Sequence, residues 1–181
     1  MAGKKKERAA QPAEKLVEQL RVLGDPVLRQ PTNLVTEFDA RLEKLAKLMM
    51  EVMEREEGVG LAANQVGVLS RIMVWRHPES DERYVFVNPR IVEMSEACCT
   101  ESEGCLSVPG ATMDVTRAEE VVVEAQDLSA QELTVRLTGM LARIVQHEID
   151  HLEGRLILDR TSPEERRRVM KELRERMLGS S

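Results

Sequence analysis

The chain has 181 residues, a formal net charge of −6, and 42% hydrophobic but only 2% aromatic residues. This composition is typical of one soluble globular domain, and no apolar run approaches the ~20 residues of a membrane span. The acidic balance and the shortage of aromatic side chains argue against a protein that binds nucleic acid across its surface.

The two ends of the chain are short and polar. Residues 1–13 are rich in lysine and lack the apolar stretch of a secretory signal, so we expect a disordered basic tail and a cytoplasmic protein. Residues 14–178 are expected to form a single domain, and residues 179–181 a flexible C-terminal end. Three cysteines do not look like a disulfide framework, and neither Cys98 nor Cys99 lies in a rigid loop.

The first predicted element is a helix over Thr36–Glu56. Its apolar residues recur at intervals of three and four, Thr36 has a side chain suited to an N-cap, and Gly58 ends the helix. The residues that follow, 58–67, form an unusual run of small side chains.

A β-rich middle follows this run. Short segments rich in β-branched and aromatic residues alternate with polar turns, which predicts several strands. They are Arg71–Trp75, Tyr84–Val87, Ile91–Met94, Val115–Ala125 and Glu132–Leu137. Between the third and the fourth, Glu103–Gly110 contains two glycines and a proline and is predicted to be a sharp, rigid loop.

Two further helices are predicted toward the C-terminus. The first runs from Gly139 to Leu152 and ends before Gly154, and the second is capped by Ser162 and starts at Pro163. Together the elements predict an α+β fold, in which antiparallel β-sheets pack around the central helix, with an N-terminal helix and a C-terminal helix.

The central helix carries the motif H-E-x-x-H. His147 and His151 are four residues apart and lie on one helix face, where they can bind a divalent metal with Glu148 as general base. On a helical wheel Glu148 projects from an apolar arc, where a lone carboxylate is costly unless it is paired, protonated or serves a metal site. The polar residues form a separate stripe: Arg143, Gln146, Asp150 and Glu153. This pattern favours a working metal site over two ordinary core histidines.

A catalytic site of this type takes three protein ligands. The remaining histidine, His77, lies in a polar turn, while Glu164 and Glu165 lie where acidic residues ordinarily stabilise a helix N-terminus. Cys105 is the best remaining candidate, because it lies in the predicted Gly/Pro loop and a thiolate is a strong ligand for a soft divalent ion.

Three short segments carry the most specific motifs: Gly58–Gln65, Glu103–Ser107 and Gln146–His151. In order and spacing they resemble the three signature motifs of the peptide deformylase family. The resemblance spans about Leu16 to Leu178 and therefore implies a single deformylase domain. It also implies the activity of the family, which removes the formyl group from the N-terminal formyl-methionine of newly made bacterial or organellar proteins.

The resemblance assigns the metal site. Cys105, His147 and His151 would bind the ion, with Fe²⁺ most expected and Zn²⁺, Ni²⁺ or Co²⁺ as alternatives. Glu148 would take a proton from the attacking water and later deliver it to the departing amine.

The resemblance also assigns the substrate contacts. The side-chain amide of Gln65 and the backbone N–H of Leu106 would stabilise the oxyanion. Backbone and pocket contacts to the peptide would come from Val59, Gly60, Glu103, Gly104 and Ile144.

Three other hypotheses fit parts of the sequence: an H-E-x-x-H metallo-endopeptidase, a protein with a structural metal, and an inactive homologue. A structural site would need a fourth ligand, for which the sequence offers no convincing residue. The arginine-rich last helix is expected to be a solvated face or, alternatively, a transient contact to the ribosome. No DNA or membrane partner is expected.

Overall fold

The computed structural model describes residues 19–179. The tail predicted at residues 1–13 lies outside this range, as do residues 180 and 181 of the predicted flexible end. The described chain contains three α-helices, α1 (Ala40–Arg55), α2 (Gly139–Leu152) and α3 (Pro163–Gly179). Its strands are β1 (Gly60–Ala62), β2 (Ile72–Arg76), β3 (Arg83–Met94), β4 (Cys98–Gly104), β5 (Thr112–Ala118), β6 (Glu120–Gln126) and β7 (Glu132–Thr138). Among the described helices, none has the length and apolar character needed to cross a membrane.

The strands form two antiparallel sheets. The larger has the order β1-β2-β3-β6-β7, and the smaller consists of β4 and β5. Helix α2 packs its apolar side against the larger sheet, where Val145, Ile149 and Leu152 are buried with residues of β2, β3 and β6. Its other side contacts β5. The predicted α+β fold around a central motif-bearing helix is confirmed.

Helix α1 begins later than predicted, because Asp39 rather than Thr36 is its N-cap. The Asp39 carboxylate accepts the backbone N–H groups of Arg41 at 2.9 Å and Leu42 at 3.1 Å. The apolar periodicity starts earlier than the helix, since Phe38 packs on the same core cluster from the preceding loop.

A single strand, β3, replaces the two predicted strands Tyr84–Val87 and Ile91–Met94. Pro89 has no N–H to donate to a neighbouring strand. The strand nevertheless continues past it, because the pairing of β3 with β6 shifts register between Val87 and Arg90.

The predicted strand Val115–Ala125 is two strands, β5 and β6. They separate at Glu119, because β5 pairs with β4 while β6 lies between β3 and β7 in the larger sheet. Strand β4 was not predicted, since Cys98–Gly104 is mostly exposed and lacks an apolar alternation. The predicted loop Glu103–Gly110 was wrong at its start, as its first two residues belong to β4.

The last two helices agree with the sequence. Helix α2 has the predicted bounds, and Ser162 caps α3, with its hydroxyl accepting the N–H of Glu165 at 3.1 Å. Most of the polar stripe of α2 is buried, which the helical wheel does not reveal. The buried members are Arg143, Gln146 and Asp150. The metal motif therefore lies on a helix enclosed from both sides.

Candidate active site

Three potential metal ligands converge beside α2. The Sγ atom of Cys105 lies 3.2 Å from Nε2 of His151, which lies 3.2 Å from Nε2 of His147. One ligand atom from each residue lies within 4.8 Å of the other two. A thiolate and two imidazoles so arranged fit a divalent transition metal with three protein ligands and one open position.

Two elements bring these ligands together. His147 and His151 lie one turn apart on α2 and face the same way. Cys105 is the first residue after β4, and the pairing of Gly104 with Thr112 of β5 sets the position of that strand end. The loop from 105 to 111, called the ligand loop below, thus delivers the thiol to the helix.

Glu148 is buried against β1. An ideal Cβ atom on Gly60 would lie 2.5 Å from Oε1 of Glu148, so a side chain at that position would push the carboxylate out of its present place. Its Oε2 is buried and has no hydrogen-bond partner within the described residues. Burial raises the pKa of Glu148 to about 7, although the positive charges of His147 and Arg117 oppose the shift. A carboxyl group with this pKa can both accept and release a proton near neutral pH.

Gln65 is held in one orientation just after β1. Its Oε1 accepts the backbone N–H of Ala62 at 2.8 Å, and its Nε2 donates to the hydroxyl of Ser107 at 3.1 Å. The Nε2 group carries a second hydrogen. Gln65 also lines the adjoining cavity, which makes this second N–H a candidate donor to a bound molecule.

The adjoining cavity has a volume of about 770 Å³. All the site residues predicted from the sequence line it, except His151, which is buried behind it. The predicted substrate contacts among them are Val59, Gly60, Glu103, Gly104 and Ile144. Strand β1, which begins at Gly60, is an edge strand of the larger sheet. The cavity therefore borders a backbone edge to which an extended peptide could add.

The side chain of Glu103 is occupied by protein contacts. Its Oε2 lies 3.0 Å from Nδ1 of His147, Arg117 donates to both oxygens at 2.9 Å, and Arg143 donates to Oε1 at 2.7 Å. Burial would raise the pKa of Glu103, but hydrogen bonds from His147 and Arg117 hold it well below its ordinary value. This charged, fully bonded carboxylate leaves the predicted substrate contact of Glu103 to its backbone. A proton on Nδ1 of His147 would leave Nε2 free to bind a metal.

The residues weighed as other ligands lie elsewhere. The Nδ1 atom of His77 accepts backbone N–H groups of Glu79 and Ser80 within its own turn, at 3.2 and 3.3 Å. Glu164 and Glu165 form ion pairs with arginines along the first turns of α3. None of these three candidate side chains belongs to the cluster of Cys105 and the two motif histidines.

Two buried partners of the site, Arg117 and Ser107, were not predicted. Along β5 the buried residues alternate with exposed ones, which places Met113, Val115 and Arg117 on the inner face. An arginine at an inward position of an alternating strand indicates a buried charge that needs an acidic partner. That signal was available in the sequence for Arg117, whereas no periodicity marks Ser107.

Comparisons with known proteins agree on one family. The family model described as "Polypeptide deformylase" matches residues 17–167. A peptide deformylase of Dictyoglomus thermophilum is 46% identical over 149 residues, which cover 82% of this chain and 95% of the relative. Among solved structures, a peptide deformylase from Legionella pneumophila has a TM-score of 0.83 and 38% identity, covering 90% of this chain and 96% of the other. The Thermotoga maritima enzyme has a TM-score of 0.77 and 40% identity, covering 80% and 97%.

Proposed function

The chain belongs to the polypeptide deformylase family, and we propose that Cys105, His147 and His151 hold the divalent metal on which this family depends. The protein removes the formyl group from the N-terminal formyl-methionine of newly synthesised proteins and releases formate. One observation carries the residue assignment. Three ligand atoms converge within 4.8 Å beside Glu148, a buried carboxyl group whose Oε2 has no partner among the described residues.

Glu148 is the proposed acid–base residue. When bound, the ion would lower the pKa of a water molecule and polarise the formyl carbonyl. Glu148 would take a proton from the attacking water and later deliver it to the departing amine. Its pKa of about 7 supports both directions of transfer, and its buried Oε2, which has no hydrogen-bond partner among the described residues, supports a group able to take up a proton.

When the formyl carbon is attacked, the negative charge would develop on the formyl oxygen, and it needs donors that are already in place. We assign this role to the side-chain amide of Gln65 and the backbone N–H of Leu106. The contacts of Gln65 with Ala62 and Ser107 support the assignment, because they fix its amide before substrate arrives.

The substrate backbone would extend along the free edge beside Val59 and Gly60, with Glu103 and Gly104 contributing backbone contacts. Ile144, on the buried face of α2, would contact the methionine side chain. The support is that all five residues line one cavity beside Glu148. A side chain at position 60 would clash with Glu148, so the small residues of this segment have a physical reason.

Ferrous iron is the proposed native metal, with Zn²⁺, Ni²⁺ or Co²⁺ able to replace it. One thiolate and two imidazoles suit all four ions. A ferrous ion beside the thiolate of Cys105 should make the enzyme sensitive to oxygen. Metal analysis of protein prepared with and without oxygen exclusion tests this proposal.

The activity and the ligands can be tested together. Iron-loaded protein prepared without oxygen should release formate from formyl-Met-Ala-Ser and leave casein intact. Casein cleavage without formate release would instead support an H-E-x-x-H endopeptidase. Cys105→Ala should lose both metal and turnover, and a variant that still binds iron as tightly as the wild type would remove Cys105 from the ligand set.

Three broader features complete the proposal: a cytoplasmic location, a single catalytic domain over 14–178, and a transient ribosome contact through α3. The helix carries six basic and four acidic side chains. Many of them pair with each other, as Arg167 does with Glu164. Reversing the charge of Arg167 and Arg174, both exposed, should reduce co-sedimentation with ribosomes while leaving tripeptide deformylation intact. Unchanged co-sedimentation would exclude this contact.

A further inference from the structure

Arg117 reaches both halves of the proposed metal site. Its Nε and Nη2 atoms donate to the two oxygens of Glu103 at 2.9 Å each, and its Nη1 donates to Asp150 at 2.5 Å. Glu103 lies two residues before Cys105, and Asp150 immediately precedes His151. One guanidinium group on β5 is therefore bonded both to the end of β4, which leads into the ligand loop, and to helix α2.

These charges are costly to bury. The side chains of Arg117, Glu103 and Asp150 are each 6% exposed or less. Replacing a buried ion pair with apolar residues of similar volume is often neutral or stabilising. A contribution to stability is thus a weak explanation for this buried cluster of charges. Its contacts with the metal site indicate a second role.

We propose that Arg117 is a positioning residue, which holds the ligand loop and helix α2 at the spacing that metal binding requires. It acts through Glu103, because the Oε2 that accepts from Arg117 also lies 3.0 Å from Nδ1 of His147. This contact orients the imidazole so that its Nε2 faces Cys105 and His151. The inference rests on the proposed function, since it takes these three residues to be the metal ligands.

The hydrogen bonds of Arg117 differ from those of two neighbouring arginines, Arg143 and Arg160. Of the two oxygens of Glu103, Arg143 donates only to Oε1, the one that does not contact His147. Arg160 donates to Asp150 at 2.5 and 2.9 Å and does not bond to Glu103. Among the described arginines, Arg117 alone bonds to both carboxylates.

The test uses Arg117→Lys, which keeps the positive charge but cannot reproduce the planar fork that bonds both oxygens of Glu103. Protein stripped of metal is titrated with Co²⁺ alone, and binding is followed by the thiolate-to-cobalt absorption in competition with a chelator. We expect about 10- to 100-fold weaker binding and a changed visible spectrum of the bound Co²⁺. Wild-type affinity together with a wild-type spectrum would overturn the proposal.

Arg160→Lys is the matched control, because it makes the same exchange on the other partner of Asp150. Its Co²⁺ affinity should stay within about twofold of wild type. Circular dichroism and urea unfolding of both variants show whether each is folded. If the two variants weaken Co²⁺ binding equally, the specific role of Arg117 is refuted.

The path through Glu103 is tested by a double-mutant cycle. In a Glu103→Gln background, Arg117→Lys should have little further effect on Co²⁺ affinity, since the contact that it disturbs is already changed. If the losses of Co²⁺ affinity in the two single variants add up in the double variant, Arg117 does not act through Glu103.

Cys105→Ala separates this inference from the proposed function. If Cys105→Ala binds Co²⁺ as the wild type does, the ligand assignment itself fails. If Cys105→Ala loses Co²⁺ and Arg117→Lys does not, only the role of Arg117 fails.

Discussion

Two buried glutamates flank His147, and they differ in their hydrogen-bond partners. On the side of β4 and β5, Glu103 bonds to Arg117, Arg143 and the imidazole. On the side of β1, Glu148 faces a glycine and keeps a buried oxygen without a partner among the described residues. The pKa of Glu103 is lowered and that of Glu148 is raised, although both side chains are almost fully buried. Burial alone therefore does not decide what a carboxyl group does, because its neighbours set its charge.

The difference in pKa and hydrogen bonding matches the different roles proposed for the two residues: Glu103 positions a metal ligand, and Glu148 takes part in the reaction. A carboxylate with all its acceptors occupied is charged and fixed, which suits the support of a metal ligand. A buried carboxyl group that forms no hydrogen bond with a cation can exchange a proton near neutral pH, which suits an acid–base residue. Pairs of acidic groups with pKa values pushed apart are typical of active sites.

The largest effect is expected from Glu148→Gln. The amide has the same shape, so it still fits against Gly60, but it cannot take up a proton. We expect turnover to fall by about 10²- to 10⁴-fold with metal content unchanged. Formate release and metal analysis on the same sample measure both. Loss of metal from this variant would mean that Glu148 supports the site rather than the reaction.

Glu103→Gln should show the opposite pattern. The neutral amide weakens the contacts with His147 and Arg117, so Co²⁺ affinity should fall by about 10- to 100-fold. Turnover of the metal-saturated protein should fall less than in Glu148→Gln. If Glu103→Gln keeps its Co²⁺ affinity and loses as much turnover as Glu148→Gln, the two glutamates do not have the different roles described above.

Gly60→Ala tests the fit on the β1 side. The added methyl group would displace the Glu148 carboxylate, so we expect about tenfold lower turnover and a loss of about 1–3 kcal/mol in the free energy of unfolding. Gly104→Ala is the control for stability, because its nearest contact, Cγ2 of Thr112, lies 3.9 Å away. Urea unfolding of both variants makes the comparison. Equal losses of stability would show that the clash at Gly60 is relieved at little cost.

The smallest effect is expected at Arg90, which bonds to Glu124 on the surface of the larger sheet. Its side chain is 70% exposed, so Arg90→Ala should change the free energy of unfolding by less than about 1 kcal/mol. Co²⁺ affinity should remain that of the wild type. A loss of affinity here would mean that the site responds to charge changes in general rather than to the Glu103 contacts.

Much of the fold was predictable where structure depends on local pattern. The bounds of α2 follow from its apolar period and its flanking glycines, and Ser162 caps α3 as expected. Prediction failed where long-range pairing decides. Strand β4 has no apolar alternation of its own and is defined by its pairing with β5, and the break at Glu119 exists because β5 and β6 join different sheets.

For the candidate site, too, some features were predictable from local sequence and others were not. The spacing of His147 and His151 is a property of any helix that carries them, and the choice of Cys105 follows from the types of residue available. The hydrogen bonds of Glu103, and the Glu148 oxygen that has no partner within residues 19–179, follow from no local pattern.

The sequence by itself therefore determined which groups could bind a metal and move a proton. Only the tertiary structure decided which of two buried glutamates is charged and bonded and which is poised to exchange a proton. The reason is that the partners of Glu103 come from other elements, Arg117 from β5, 14 residues later, and His147 from α2, 44 residues later. Electrostatic energies depend on distance in space, and residues of three different elements become neighbours only when the strands pair and the helix packs against them.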